Sequence, residues 1–329
     1  LTSADAGSLF LDISGFTPLA ESLAKLGAEG SEKLTSLLNG YFGRLIRIVH
    51  EQKGEVVSFA GDAFVAIWPR PLAGSSATQI LHRVLSAAVE MQRAQPELQE
   101  ALDVSLAFKL GIGVGKFEML HLGGVQESWA PLGRGSAVER AINSEAYADP
   151  GDIIIGPEAW RYLSKLGQGK PVSKEGHIKL KTDCIILEPE PLEPPKLQKS
   201  MEKRLVSYVL PSVRQRLAAG HAGWLGELRR VTVLFGNLKG LTPKTPLEKV
   251  HEIVGLVQQE ILNVEGSINK LSVDEKGVSL LAVFGLPPIS HEKEADRAIA
   301  AAIGIESVLR AHDVTTSIGV TTGRAFCGS

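Results

Sequence analysis

Two aspartates are placed where they could hold a metal ion. Asp12 closes the apolar run Ser8-Leu9-Phe10-Leu11-Asp12-Ile13, and Asp62 stands in the tight turn Ala60-Gly61-Asp62, fifty positions later. An ionised carboxylate only accepts hydrogen bonds, and two of them held close repel unless a proton or a cation lies between. Magnesium takes oxygen ligands in near-octahedral geometry, commonly one or two carboxylates plus substrate phosphates. Two such ions can clamp the attacking and leaving oxygens of a phosphoryl transfer. Each aspartate taken alone has a plainer explanation: Asp12 would cap the helix after it and Asp62 would serve its turn. Their surroundings decide between the two.

Hydrophobic periodicity shows which strands and helices carry the two aspartates. The first apolar run is short and ends at Ser14-Gly15, as a buried strand does. Leu34, Leu37, Leu38, Tyr41, Leu45, Ile48 and Val49 recur at helical spacing and predict a helix over about 32–50, ended by Gly54. Glu55–Phe59 and Ala63–Trp68 flank the Asp62 turn and predict a hairpin. A second amphipathic helix over about 78–93 and a strand over about 105–113 complete the unit. Strand, helix, hairpin, helix, strand is the order of a split βαβ, ferredoxin-like core. In that core the strands of the two aspartates are neighbours, and both carboxylates project at one sheet end.

The pattern then returns. Val231–Leu238 matches the opening strand with Asn237 in the place of Asp12, Gly266–Lys270 matches Gly54–Ser58, and Val314–Gly323 matches Ala107–Gly115. Between the copies, Glu188-Pro189-Glu190-Pro191-Leu192-Glu193-Pro194-Pro195 fits neither sheet nor helix, and a basic, partly helical stretch follows it. The expected organisation is α+β: a first domain over 1–188, a linker and basic segment over 189–225, and a second domain over 226–329. At 329 residues two domains are also the prior. Lys+Arg 35 against Asp+Glu 37 gives no whole-chain reason to expect nucleic acid or an anionic membrane. Two cysteines, Cys184 and Cys327, imply no disulfide framework and fit a cytoplasmic setting. No apolar run reaches the roughly 18 residues of a membrane span. Arg44, Arg47, Lys199 and Lys203 read as ordinary solvated faces.

Leu11-Asp12-Ile13-Ser14-Gly15-Phe16-Thr17 and Phe59-Ala60-Gly61-Asp62-Ala63 resemble the two metal-binding signatures of class III adenylyl and guanylyl cyclases. Within that family the likeness is to the bicarbonate-responsive soluble adenylyl cyclases, and it covers both halves. The resemblance implies two tandem nucleotidyl cyclase domains forming a pseudo-symmetric intramolecular dimer, the second incomplete. It implies that Asp12 and Asp62 bridge two magnesium ions, with manganese as a substitute, and that the Ile13 carbonyl helps hold one. Ser14, Gly15, Phe16 and Thr17 would offer backbone N–H groups to the polyphosphate of ATP at a helix start, although Phe16 alone reads as a packing residue. The reaction implied is attack of the ribose 3′-oxygen on the α-phosphorus, giving 3′,5′-cyclic AMP and pyrophosphate.

In such a family the second domain reads the base. Lys270 stands at the base-reading position; its ammonium can donate to adenine N1 but not to the protonated N1 of guanine. Asp274 or Glu275 would complete the reader. Asn237 replaces the metal aspartate in the second half and Ser58 replaces the lysine in the first, which implies one competent site and one degenerate one, paired within one chain. Arg140 matches the arginine of the degenerate, anion-binding site, where bicarbonate or another small anion would regulate, with Ser58 in place of the partner lysine. Lys109 reads as a solvated strand-edge lysine that could also face the triphosphate. The step from Gly111 to Arg140, repeated from Gly319, runs past Ser329, so the transition-state Asn and Arg are expected beyond it and this piece is expected to turn over weakly or not at all. A catalytically dead regulatory nucleotide-binding module is the alternative. A P-loop enzyme is unsupported, since no G-x-x-x-x-G-K-[ST] run occurs; a diguanylate cyclase is unsupported because its Gly-Gly-Asp/Glu-Glu-Phe turn is missing from the hairpin.

Overall fold

The computed structural model describes residues 2–70, 76–102, 105–165, 167–184, 188, 199–209, 213–214, 227–242, 245–274, 277–287 and 291–327. The first part of the chain runs β1 (Thr2–Ser14), α1 (Phe16–Ala24), α2 (Ala28–Glu51), β2 (Glu55–Ala60), β3 (Ala63–Pro69), α3 (Ala77–Leu102) and β4 (Ala107–Gly123). It continues through β5 (Trp129–Arg134), α4 (Ser136–Glu145), β6 (Ile153–Ile155), α5 (Pro157–Leu163), β7 (Gly167–Pro171) and β8 (Ile178–Cys184). After α6 (Lys199–Val206) come β9 (Glu227–Lys239), α7 (Leu247–Asn263), β10 (Ser267–Asp274), β11 (Gly277–Phe284), α8 (Glu294–Ala311) and β12 (Thr315–Cys327).

Two sheets carry one topology. The first orders its strands β2-β3-β1-β4-β6-β8-β7, with β5 also on β4; the second orders them β10-β11-β9-β12. In each, the hairpin lies beside the first strand and the first strand beside the fourth, which is the expected split βαβ arrangement. The repeat extends to single residues. Both hairpins carry a bulge at the matching place, between Val56 and Ser58 and between Ile268 and Lys270. Ser58 then pairs with Val65, and Lys270 with Leu281. A Cβ at Gly54 would run into the Trp68 ring, and one at Gly266 into the Phe284 ring.

The chain divides into two compact units, Thr2–Glu118 with Gly133–Pro194, and Met119–Leu132 with Pro195–Ser329. The core of the first joins Leu9, Leu11 and Ile13 of β1 to Phe64, Ala66 and Trp68 of β3, under Tyr41, Leu45 and Ile48 of α2 and Leu81, Val84 and Leu85 of α3. Alternation puts every second β1 residue inward, and each aliphatic side chain so buried contributes about 1.5–3 kcal/mol. Trp68 donates its indole N–H to the Gln52 carbonyl at 2.9 Å, so the largest core side chain leaves no buried donor unpaired. In the second unit Val254, Val257 and Ile261 of α7 and Ile305 and Leu309 of α8 pack on Leu234, Leu280 and Phe284. Leu120, Leu122 and Leu132 join that same core.

Several elements differ from the sequence reading. A separate helix, α1, precedes the first predicted one, and α2 begins after Gly27 (φ 66°), four residues before the expected start. α3 continues past Arg93 through Pro96 to Leu102. Its glutamines add hydrogen bonds to the start of β4: Gln95 Oε1 accepts the Phe108 N–H at 2.9 Å, and Gln92 Nε2 donates to the Phe108 carbonyl at 3.1 Å, beside the backbone bond that carbonyl accepts from the Gly151 N–H. β4 itself runs on to Gly123. The Pro-rich run lies outside the described residues except Glu188, whereas part of the basic stretch after it is helical, as α6.

Candidate functional site

β1 and β3 are antiparallel and in register up to Leu11 opposite Phe64, so Asp12 stands just past the last pair. The β2–β3 ladder closes at Ala60 opposite Ala63, which leaves Gly61 (φ 68°) and Asp62 as the hairpin turn. Glycine takes that left-handed conformation without steric cost. The two carboxylates therefore meet at one end of neighbouring strands. Burial pushes the Asp62 carboxyl up from its ordinary value; its own backbone N–H pulls the other way, and the charge of Asp12 pushes it up further. Two carboxylates so placed repel unless a proton or a cation lies between them.

Lys109 on β4 is no solvated edge lysine. Its ammonium lies 2.7 Å from Glu145 Oε1 and 3.4 Å from Asp12 Oδ2, and its side chain is 26% exposed. The hydrogen bond to Glu145 is the main cause of a raised Lys109 pKa, with Asp12 adding to it. Glu145 is the last residue of α4 and only 12% exposed in its side chain. Glycines allow this contact. A Cβ on Gly111 would run into the Ala141 carbonyl oxygen and the Glu145 nitrogen, and one on Gly113 into the Ala137 carbonyl. The helix thus lies directly on the strand, and its end reaches Lys109.

Beside the carboxylates, α1 starts after its N-cap Gly15 (φ 91°), with no side-chain cap and no acidic residue in its first turn. Its leading N–H groups are those a phosphate would meet. Phe16 packs against the first core, which is the packing role expected for it. Among the described residues no group of three or more His, Cys, Asp or Glu side chains is placed to hold a metal. Two carboxylates are what this site offers, and they suit magnesium, which leaves the rest of its shell to phosphate, carbonyl and water.

The remaining candidates stand elsewhere. Arg140 donates to the Val114 carbonyl at 2.7 Å and pairs with Glu158 at 3.3 Å. It lines a cavity of about 350 Å³ with Arg70, Arg161, Asp5 and Tyr162. Lys270 belongs to the other unit, where burial lowers its pKa. Asp274 ends β10 opposite Gly277, and Glu275 lies outside the described residues. Asn237 sits opposite Ser279 and donates to its hydroxyl at 3.3 Å. By the matched register Val278 takes the place of Asp62, so the second sheet lacks both carboxylates. The sequence reading missed Glu145. A signal for it existed: an acidic side chain at a helix C-terminus with no basic residue in the last turn opposes the helix dipole and asks for a cation.

Residues 2–196 match the family model described as adenylate and guanylate cyclase catalytic domain. Adenylate cyclase type 10 of mouse and of human are each 27% identical over 371 aligned residues, covering 98% of this chain. The chain spans 22% of the length of those relatives. A solved class III adenylyl cyclase-like ATP-binding protein from Pseudomonas aeruginosa shares the fold over 99% of this chain and 79% of its own, with TM-score 0.61 and 13% identity. The adenylyl cyclase CyaB from P. aeruginosa covers 57% of this chain and 98% of its own, with TM-score 0.50 and 20% identity. No described helix is long and apolar enough to cross a membrane.

Proposed function

The chain belongs to the adenylate and guanylate cyclase catalytic domain family, and from that premise we propose that it is the catalytic region of an adenylyl cyclase, converting ATP to 3′,5′-cyclic AMP and pyrophosphate in the cytoplasm. The observation that carries this is the Asp12–Asp62 pair, with Asp62 desolvated and repelled by Asp12 beside an uncapped helix start. Magnesium bound there, or manganese in its place, would supply Lewis-acid stabilisation of charge on the phosphates.

The residues divide the work. Asp12 and Asp62, with the Ile13 carbonyl, hold the metal. The N–H groups from Ser14 to Thr17 receive the polyphosphate, and Lys109, close to Asp12, offers it a further donor. Lys270 reads adenine N1; its match to Ser58 in bulge and register supports that role. A small anion such as bicarbonate acts at Arg140. The protein's contribution is positioning and charge stabilisation.

The test is metal-dependent ATP binding together with cyclic AMP formation, beside Asp62→Ala. Binding weakened about 10-fold or more in the variant is expected, with any cyclic AMP lost, since a charge-assisted ligand is removed. Metal-dependent ATP binding kept by Asp62→Ala would overturn the metal assignment. Binding that depends on Asp62 without cyclic AMP would favour the regulatory nucleotide-binding module.

A further inference from the structure

We infer that Glu145 is a positioning residue: it holds the Lys109 ammonium off Asp12, so that the carboxylate pair stays open to a metal ion while the lysine stays beside it. The inference rests on the proposed metal site and concerns a residue that none of the metal-binding motifs contains.

The geometry orders the partners of Lys109. The 2.7 Å contact to Glu145 is a charge-assisted hydrogen bond, whereas the 3.4 Å separation from Asp12 is longer than such bonds run. Glu145 therefore takes the ammonium and Asp12 feels it at longer range. Without the Glu145 charge, the carboxylate left within ion-pair reach of Lys109 among the described residues is Asp12. The ammonium would then close on an oxygen that the metal needs, and would leave the place from which it can meet phosphate.

The helix end is built for this at a local cost. A carboxylate on the last residue of α4 faces the negative end of the helix dipole, and the last turn holds no basic residue to offset it. The partner comes from β4 instead, across a contact that Gly111 makes possible by having no Cβ. Local preference and tertiary placement disagree here, as they do where a residue serves a site.

A double-mutant cycle in the full chain tests this, with Mn2+ alone and then Mn2+ with ATP as probes, and binding read by calorimetry. Glu145→Gln is expected to weaken Mn2+ binding by about 5-fold, and Lys109→Met to strengthen it. Adding Glu145→Gln to Lys109→Met should change it by less than about 2-fold, because the effect travels through the lysine. Equal losses in both backgrounds would overturn the inference and assign Glu145 a through-space or purely structural effect. Thermal unfolding of each variant separates lost binding from lost folding, and a Glu145→Gln protein that is folded and binds Mn2+ like the parent also overturns it. If the parent chain shows no Mn2+ binding sensitive to Asp12→Ala, the metal assignment itself fails, and this inference with it.

Discussion

Asp62 and Lys270 are both charged groups that the fold holds against their own solvation, and the sequence singles out both. Burial raises the Asp62 carboxyl and lowers the Lys270 ammonium. For Asp62 the protonated form is the one the fold favours, so its contribution to stability is present below the unfolded-state pKa and is lost as pH rises through the folded value. At neutral pH the ionised group therefore weighs against the metal-free fold. Asp62→Asn should raise metal-free stability at pH 7 by up to about 1 kcal/mol, and the gain should shrink as the solution is made acidic. Stabilisation by added Mn2+, which follows mass action in the parent, should disappear. Thermal melts across pH with and without Mn2+ check both; a less stable variant at pH 7 would contradict the argument. What was legible here was residue type in context: Asp12 and Asp62 stand out because a strand end and a hairpin turn bracket them. Lys109 was misread because a lysine's sequence neighbours say nothing of a partner such as Glu145, thirty-six positions on.

At the scale of elements, the same motif meets different surroundings in the two halves. The glycines of β4 exist so that α4 can lie on the strand, and Gly111 touches the helix backbone itself. Gly319 of β12 matches it in the repeat, yet a Cβ there would meet nothing within 4 Å among the described residues. Gly111→Ala should cost about 2–3 kcal/mol by overpacking a contact that is backbone and cannot give way. Gly319→Ala should lie within about 0.5 kcal/mol of the parent, on the stabilising side if anywhere, since it removes chain entropy from the unfolded state. Denaturant titration of the two variants checks the contrast, and equal costs would refute it. Periodicity showed the hairpins and the helices that face a core. It could not give the length of β4, because its later residues pack in the second core rather than the first. Nor did it give the extent of α1, since the apolar positions counted for the first helix all fall in α2.

At the scale of the whole molecule, sequence halves and compact units are not the same division. Met119–Leu132 comes from the first half and is part of the unit formed by the second. Its backbone is held there by one buried side chain: Gln258 Oε1 accepts the Val125 N–H at 3.2 Å, and Nε2 donates to the Ser128 carbonyl at 2.9 Å. Trp129 stacks on His251 in the same region, and Leu120 and Leu122 are fully buried. A duplication read along the chain shows two copies of one unit; it has no means of showing that a segment of one copy packs in the core of the other, because each apolar residue in that segment would serve either core. The exchange makes a prediction that neither copy alone would make. Leu122→Ala leaves a cavity that should cost about 2–5 kcal/mol, and Gln258→Leu removes two side-chain hydrogen bonds to the part-buried backbone of that segment, at about 0.5–1.5 kcal/mol each. Hydrogen exchange on the full chain should show both losses in β9, β11 and α7, with β1 and β3 keeping their protection, although Leu122 is encoded with the latter. Loss of protection confined to β1 and β3 in Leu122→Ala would mean that the segment belongs to the first core after all.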